Sequence, residues 1–314
     1  MSQAKFDIPF QSAVSPEVLD ADTRIHFRCY KGISCFNACC KQADVTLAPY
    51  DVIRLKRRLG MSSTDFLAKY TVPFQMDQDG TPGIKLRTDD TGTCLQLNGD
   101  EGCGVYEDRP TVCRYYPVAL LALREKGSAE AREQFSLVKE PHCKGHLEAR
   151  EIRIGDYRTE QGVEEYDELN REWYQLILKK KSAGPTVGRP PETSLQLFFM
   201  ASYDMDRFRR FVLSDNFRST YQLTDDFYLE LERSDEGLLR FSYRFLRQVL
   251  FGEHSVQEAA DAWEKRVAER KEVWDARREF ELKRRAAAED EKYRHQPDAE
   301  STPDQNPGDR PCCD

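Results

Sequence analysis

The chain has 314 residues, 32% of them charged, and its 55 acidic against 47 basic side chains leave a net charge of −8. Much of that excess is local: from Glu289 to Asp314 eight acidic residues stand against three basic ones, so the rest is nearly neutral and no nucleic-acid partner is expected. The longest apolar run, Val118 to Leu123, is far short of a bilayer span, and the start Met1-Ser2-Gln3-Ala4-Lys5 shows no basic and apolar leader, so no membrane partner and a cytoplasmic setting are expected.

After an N-terminal extension at 1–19, residues 20–160 read as a small cysteine-rich domain of short helices and short strands. Ala48-Pro49-Tyr50-Asp51 opens a helix with proline in its first turn; Val52, Leu55 and Leu59 share one apolar face, and Gly60 stops it. Ser63 to Leu67 starts a second short helix. Gly83–Arg87 and Thr93–Leu97 alternate with period two, as half-buried strands do. Asn98-Gly99-Asp100-Glu101-Gly102 is turn chemistry, and the hairpin it implies brings Cys94 close to Cys103.

Residues 161–252 read as helical, with Tyr166, Leu169, Trp173, Leu176 and Ile177 at helical spacing. Lys179 to Pro191 is a basic, Gly/Pro-rich linker, and apolar helical patterns resume over Leu195–Phe211 and Leu238–Leu250. The aromatic residues Phe198, Phe199, Tyr203, Phe208 and Phe211 are better explained as a packed core than as a ligand pocket. A charged helix is expected over 253–292, opened by the capping box Ser255-Val256-Gln257-Glu258. Its seam of Val256, Ala260, Trp263, Val267 and Trp274 is too short for a coiled coil and offers a docking face to the protein itself or to a protein partner. Residues 293–314 form an acidic tail expected to be disordered. The fold class is therefore α+β: a cysteine-rich metal-binding domain, a mostly helical region and a charged C-terminal helix.

The chemistry lies in the cysteines. Cys29, Cys35, Cys39 and Cys40 fall within twelve residues; Cys94, Cys103, Cys113 and Cys143 follow, and Cys312-Cys313 lies at the end. In a reducing compartment such density points to metal rather than to disulfides. Zinc is commonly held by two C-x2–4-C pairs, a range that Cys35-x3-Cys39 fits and Cys29-x5-Cys35 exceeds. Adjacent side chains diverge, so Cys39 and Cys40 either divide between ligand and packing or point at two metals. Eight thiols suffice for two four-thiolate sites or for one larger cluster. Iron, including an iron–sulfur cluster, uses the same ligands, although both ferredoxin spacings are missing.

Arg109 and Arg114 flank Cys113, and their guanidinium groups would stabilise a negatively charged thiolate site; the alternative is surface pairing with Glu107 and Asp108. His142 and His146 bracket Cys143 as secondary ligand candidates.

Cys39-Cys40, Asp51-x2-Arg54-Leu55, the pair Cys94/Cys103 and Tyr106-x-Asp108-Arg109-Pro110-x2-Cys113-Arg114-x-Tyr116-Pro117 resemble the YkgJ-type cysteine-cluster family of bacterial zinc- or iron-chelating proteins. The resemblance covers residues 25–150, with the family's opening C-x2-C-x2-C-C stretched here to C-x5-C-x3-C-C. It implies zinc or iron binding by these cysteines. The family is itself similar to the N-terminal part of flagellin lysine N-methylases, which makes protein methyl transfer the alternative activity. Neither a glycine-rich strand–turn–helix with an acidic partner nor the radical C-x3-C-x2-C pattern accompanies it, so no S-adenosylmethionine site is expected. No serine–histidine–acid set or paired catalytic carboxylate stands out, which leaves enzyme activity open.

Overall fold

In the computed structural model, residues 13–41, 43–123, 132–182 and 190–262 are described, with shorter stretches between 264 and 286. The strand β1 (Arg24–His26) leads into the first cysteine loop, which closes in a 3-10 turn at Ala38–Cys40. Helix α1 (Pro49–Leu59) follows. Pro49 sits where a missing N–H is harmless, Asp51 accepts from the Ala48 N–H at 2.8 Å, and Gly60 ends the helix at φ 63°. Ser62 caps α2 (Ser63–Tyr70) by accepting from the Asp65 N–H.

The hairpin of β2 (Thr71–Gln75) and β3 (Pro82–Leu86) pairs Thr71 with Leu86 and Gln75 with Pro82. Of the strand expected over Thr93–Leu97, only the last residue is strand: β4 (Leu97–Asn98) pairs with β5 (Gly102–Cys103), while Cys94 makes an isolated bridge to Thr88. The short helix α3 (Thr111–Tyr115) carries Cys113. Next come β6 (Val118–Leu123) and β7 (Arg132–Leu137), paired with each other, then β8 (Glu151–Arg153), which closes back on β1 through Ile25↔Ile152.

Helices supply the remainder of the first unit: α4 (Ile154–Gln161), α5 (Glu164–Ser182), α6 (Glu192–Tyr203), α7 (Met205–Val212), α8 (Asp215–Thr220), α9 (Asp225–Arg233) and α10 (Asp235–Phe251). Helix α5 runs through Lys179–Ser182, so the expected linker begins later than its composition suggests. The protein is thus α+β, with cysteine-rich loops and small sheets followed by helices.

Two apolar clusters organise it. The larger joins α1, α2 and β3 to α5–α10, and buries Phe198, Tyr203, Phe208, Phe241 and Phe245 almost completely. The aromatic stripe is core, each such side chain contributing about 1.5–3 kcal/mol on burial. The smaller packs Ile25, Phe27, Tyr115, Val118, Phe135, Ile152 and Tyr157 between the two long-range strand pairs, α3 and α4. Cys94 and Cys103 pack against the larger cluster and Cys143 against the smaller. The cysteine loops therefore lie where two cores meet.

The capping-box expectation at Ser255 is not met. Ser255 Oγ donates to the Arg244 carbonyl at 2.6 Å, the Gln222 N–H donates to the Gln257 carbonyl at 2.9 Å, and Tyr221 bridges Glu258. Tertiary partners take the groups that a helix start would have used, and Val256 is buried in the larger core instead of on a helical seam. The chain divides into two units at 258/259. In the second, helical positions are described discontinuously from Ala262 to Ala286, with Phe280 and Leu282 exposed. Trp263, Trp274, the tail at 293–314 and Cys312-Cys313 lie outside the described residues.

Candidate metal centre

Four chain segments bring the thiols in: the loop from Cys29 to Cys40, the β4–β5 hairpin, α3, and the turn at Cys143. All eight of these cysteines are free thiols. The hairpin does what its turn residues imply. Leu97 faces Cys103 across the pair, and the Cys94 N–H donates to the Cys40 carbonyl at 2.9 Å, linking the first loop to the hairpin.

The position of Cys113 is fixed from α1. The Asp51 carboxylate, fully buried, accepts from the Thr111 N–H at 2.8 Å and the Thr111 hydroxyl at 2.6 Å. One turn on, Arg54 forks onto Asp108 at 2.8 and 2.9 Å and reaches Glu165 at 2.9 Å. The Asp-x2-Arg pattern of the first helix is therefore the clamp that holds the Asp108–Cys113 loop.

The thiols line two adjoining spaces. Cys40, Cys94, Cys103 and Cys113 line a cavity of about 1080 Å³. Cys35 and Cys143 line a second space of about 40 Å³. Cys29 and Cys39 contribute to both. The vicinal pair is thus divided, Cys39 reaching both spaces and Cys40 only the larger one.

Electrostatics follows the same grouping. Burial pushes the Cys29 thiol up to about 11, with Cys39, Cys35 and Cys143 adding to the effect and Arg109 opposing it. A hydrogen bond from Cys40 draws Cys39 down to about 7, and that same bond, then burial, holds Cys40 far above the usual thiol range. Burial, then Cys39, Cys94 and Cys103, pushes Cys113 well up. Burial also raises Cys94 and Cys103, against the backbone N–H groups of Gln96 and Val105, each two residues on. The Lys144 N–H donates to Cys35 Sγ at 3.2 Å. Amides aimed at sulfur favour the thiolate, the form that binds metal.

The donor set fits zinc or iron by its chemistry, with soft thiols at hand for each space and amides supporting several of them. Its spacing is wider than a coordination sphere: among the described residues no three Cys, His, Asp or Glu side chains stand close enough to hold one ion. Gln96, 7% exposed in the cavity wall between Cys94 and Cys103, leaves its side-chain NH2 without a partner.

The secondary candidates separate. His142 borders both spaces, with Nε2 3.4 Å from Glu140. His146 borders neither; Nε2 meets the Val138 carbonyl at 2.9 Å and the ring packs on Phe27. Neither arginine pairs with Glu107 or Asp108 through its carboxylate. Arg109 donates to the Tyr106 carbonyl and to Gln161 Oε1, both at 2.7 Å, and lies over the Tyr106 ring. Arg114 donates to the carbonyls of Arg109, Gln161 and Glu107 and to Tyr166 Oη at 3.1 Å. Arg109 borders the large cavity and opposes the rise of Cys29 and Cys103; Arg114 stitches the loop from behind. The sequence reading missed the cavity-facing stripe of α5, whose only signal is a set of polar positions opposite that helix's apolar face.

Residues 28–144, somewhat more than a third of the chain, match the family model CxxCxxCC, described as a putative zinc- or iron-chelating domain. No curated protein and no solved structure matches the chain. The match spans the eight thiols and stops at the chelating domain, so it lends nothing to the methyl-transfer alternative. Among the described residues no helix is long and apolar enough to cross a membrane.

Proposed function

We propose that this protein is a cytoplasmic metal-binding protein in which Cys29, Cys35, Cys39, Cys40, Cys94, Cys103, Cys113 and Cys143 hold zinc or iron, with an iron–sulfur cluster as one form of the iron reading. The observation that carries this is the convergence of eight free thiols, from four separate segments, on two adjoining spaces inside the stretch that matches the chelating domain. None of the eight cysteines is fully buried and none is in a disulfide, so neither core packing nor cross-linking accounts for gathering them. A bound cation accounts for it, because ligation deprotonates thiols and adds to folding free energy.

The division of the thiols supports two four-thiolate sites over one mononuclear site. Binding would draw the four segments inward, since the thiols stand wider apart than ligands of one ion. Arg109 would offset the negative charge of the loaded site, and Arg114 would hold its loop. An ion of either metal at each site would supply a positive centre that organises these loops; the role is structural or ligand-binding.

Metal analysis of protein purified without oxygen tests the proposal. At least about one metal per chain is expected, lost largely on Cys113→Ser or Cys40→Ser and retained when Cys312 and Cys313 are both replaced. A visible band near ~400 nm would identify iron–sulfur ligation, whereas a zinc site is colourless. Metal-free protein that keeps its melting temperature in chelator would overturn the reading.

A further inference from the structure

The cavity behind Cys40, Cys94, Cys103 and Cys113 is far larger than metal binding requires. At about 1080 Å³ it reaches the upper end of sites that enclose an organic ligand, roughly 300–1000 Å³. Besides the cysteine loops, its walls are the start of β6, with Leu120 and Leu121, and one stripe of α5. That stripe is Asp167, Arg171, Tyr174, Gln175 and Leu178, positions that a helix places along one side. The opposite side of α5, with Tyr166, Leu169, Trp173 and Leu176, is buried in the larger core. Tyr174 packs against that core from its edge and Asp167 is held by Arg158 and Tyr115, so Arg171, Gln175 and Leu178 are the stripe residues that core packing does not account for.

The charges in the wall are unequally matched. Each acidic residue there has a basic or histidine neighbour: Asp44 has Lys85, Glu101 has Lys31, Glu133 and Asp167 share Arg158, and Glu140 has His142. Three cations in the same wall, Lys41, Arg109 and Arg171, have no carboxylate partner among the described residues. Arg109 is otherwise engaged, by two hydrogen bonds, the Tyr106 ring and its effect on the thiols. Arg171 makes no hydrogen bond or ion pair among the described residues, and the hydroxyl of half-buried Tyr174, one turn along, makes no hydrogen bond there either. An unmatched guanidinium, a free phenol and an amide, set on one helical stripe beside aliphatic walls, are the complement of an acid with an apolar body.

We propose that this cavity binds a small organic monocarboxylate, its carboxylate at Arg171 and Tyr174 and its apolar body along Leu178, Leu120 and Leu121, beside the metal held by the cavity-facing cysteines. The inference rests on the proposed metal reading only in that last clause. Apolar surface supplies the bulk of the affinity, and the guanidinium selects the acid over a neutral analogue.

Decanoate and decan-1-ol serve as probes, titrated calorimetrically into full-length protein whose metal content is measured on the same sample. Decanoate is expected to bind saturably and about tenfold more tightly than decan-1-ol, the equivalent of one charge-assisted hydrogen bond. Arg171→Gln should remove that preference, weakening decanoate about tenfold while leaving decan-1-ol binding and metal content unchanged. Leu178→Glu, which places a charge in the apolar wall, should weaken both probes. Metal-loaded protein without saturable decanoate binding would overturn the cavity inference and leave the metal reading standing. Decanoate binding that Arg171→Gln does not weaken would also overturn it. Saturable, Arg171-dependent binding by protein that carries no metal would uphold the cavity and refute the metal reading.

Discussion

At the scale of single residues, Asp51 and Arg54 explain why an Asp-x2-Arg pattern on one helix accompanies an Asp-Arg-Pro-x2-Cys pattern some fifty residues later. Asp51 satisfies three donors, the N–H groups of Ala48 and Thr111 and the Thr111 hydroxyl. Replacing it with alanine leaves those donors buried and unpaired, so Asp51→Ala should cost about 3 kcal/mol in urea denaturation and lower the metal held per folded chain. A loss under about 0.5 kcal/mol would show that the clamp does not hold the Cys113 loop. The sequence marked both patterns as belonging together, but not what they touch, because their partners are 54 and 60 residues apart and only the fold brings them into range. Cys39-Cys40 was legible in the same partial way. Divergence of neighbouring side chains follows from geometry alone, whereas the space each thiol faces depends on the β4–β5 hairpin and on α3.

At the scale of elements, α1 is tied to α7 and α10 by a buried ionic group. Lys56 meets Asp206 at 2.8 Å and Asp235 at 3.3 Å; Arg57 reaches Asp235 at 3.0 Å, and Arg209 bridges both acids. Burial would raise Asp235, but the Arg209 hydrogen bond and the charges of Lys56, Arg209 and Arg57 outweigh it and hold the carboxyl below its ordinary 3.8. A carboxyl held down in the folded state lends stability above pH 3.8, and that stability is lost as the pH falls through its lowered value. The gap in urea midpoint between the wild type and Asp235→Asn should therefore be wide at neutral pH and shrink below about pH 4. A gap that stays constant down to pH 2.5 would contradict the ionic account.

Elements with local signals were readable from sequence: Pro49 and Gly60 bound α1, Ser62 caps α2, and Asn98–Gly102 turns the hairpin. Ser255–Glu258 misled for the opposite reason. Its pattern is a good helix start, yet tertiary partners at Arg244, Tyr221 and Gln222 claimed its backbone and buried Val256.

At the scale of the whole molecule, two apolar cores leave a seam between them, and the cysteine loops fill it. The larger core explains the aromatic helices without a ligand; Cys94 and Cys103 pack against it and Cys143 against the smaller, while both cores contribute to the wall of the larger thiol-lined cavity. Apolar periodicity announced the helices, while nothing local announced the cavity, which forms only where α5, β6 and the cysteine loops come together. The central claim is that sulfur from these loops surrounds a metal, and X-ray absorption at the edge of the metal in anaerobically purified protein tests it most directly. The account predicts a first shell of about four sulfur atoms at about 2.3 Å, reduced in occupancy by Cys113→Ser. A shell dominated by nitrogen or oxygen near ~2.0–2.1 Å, unchanged by that substitution, would contradict it.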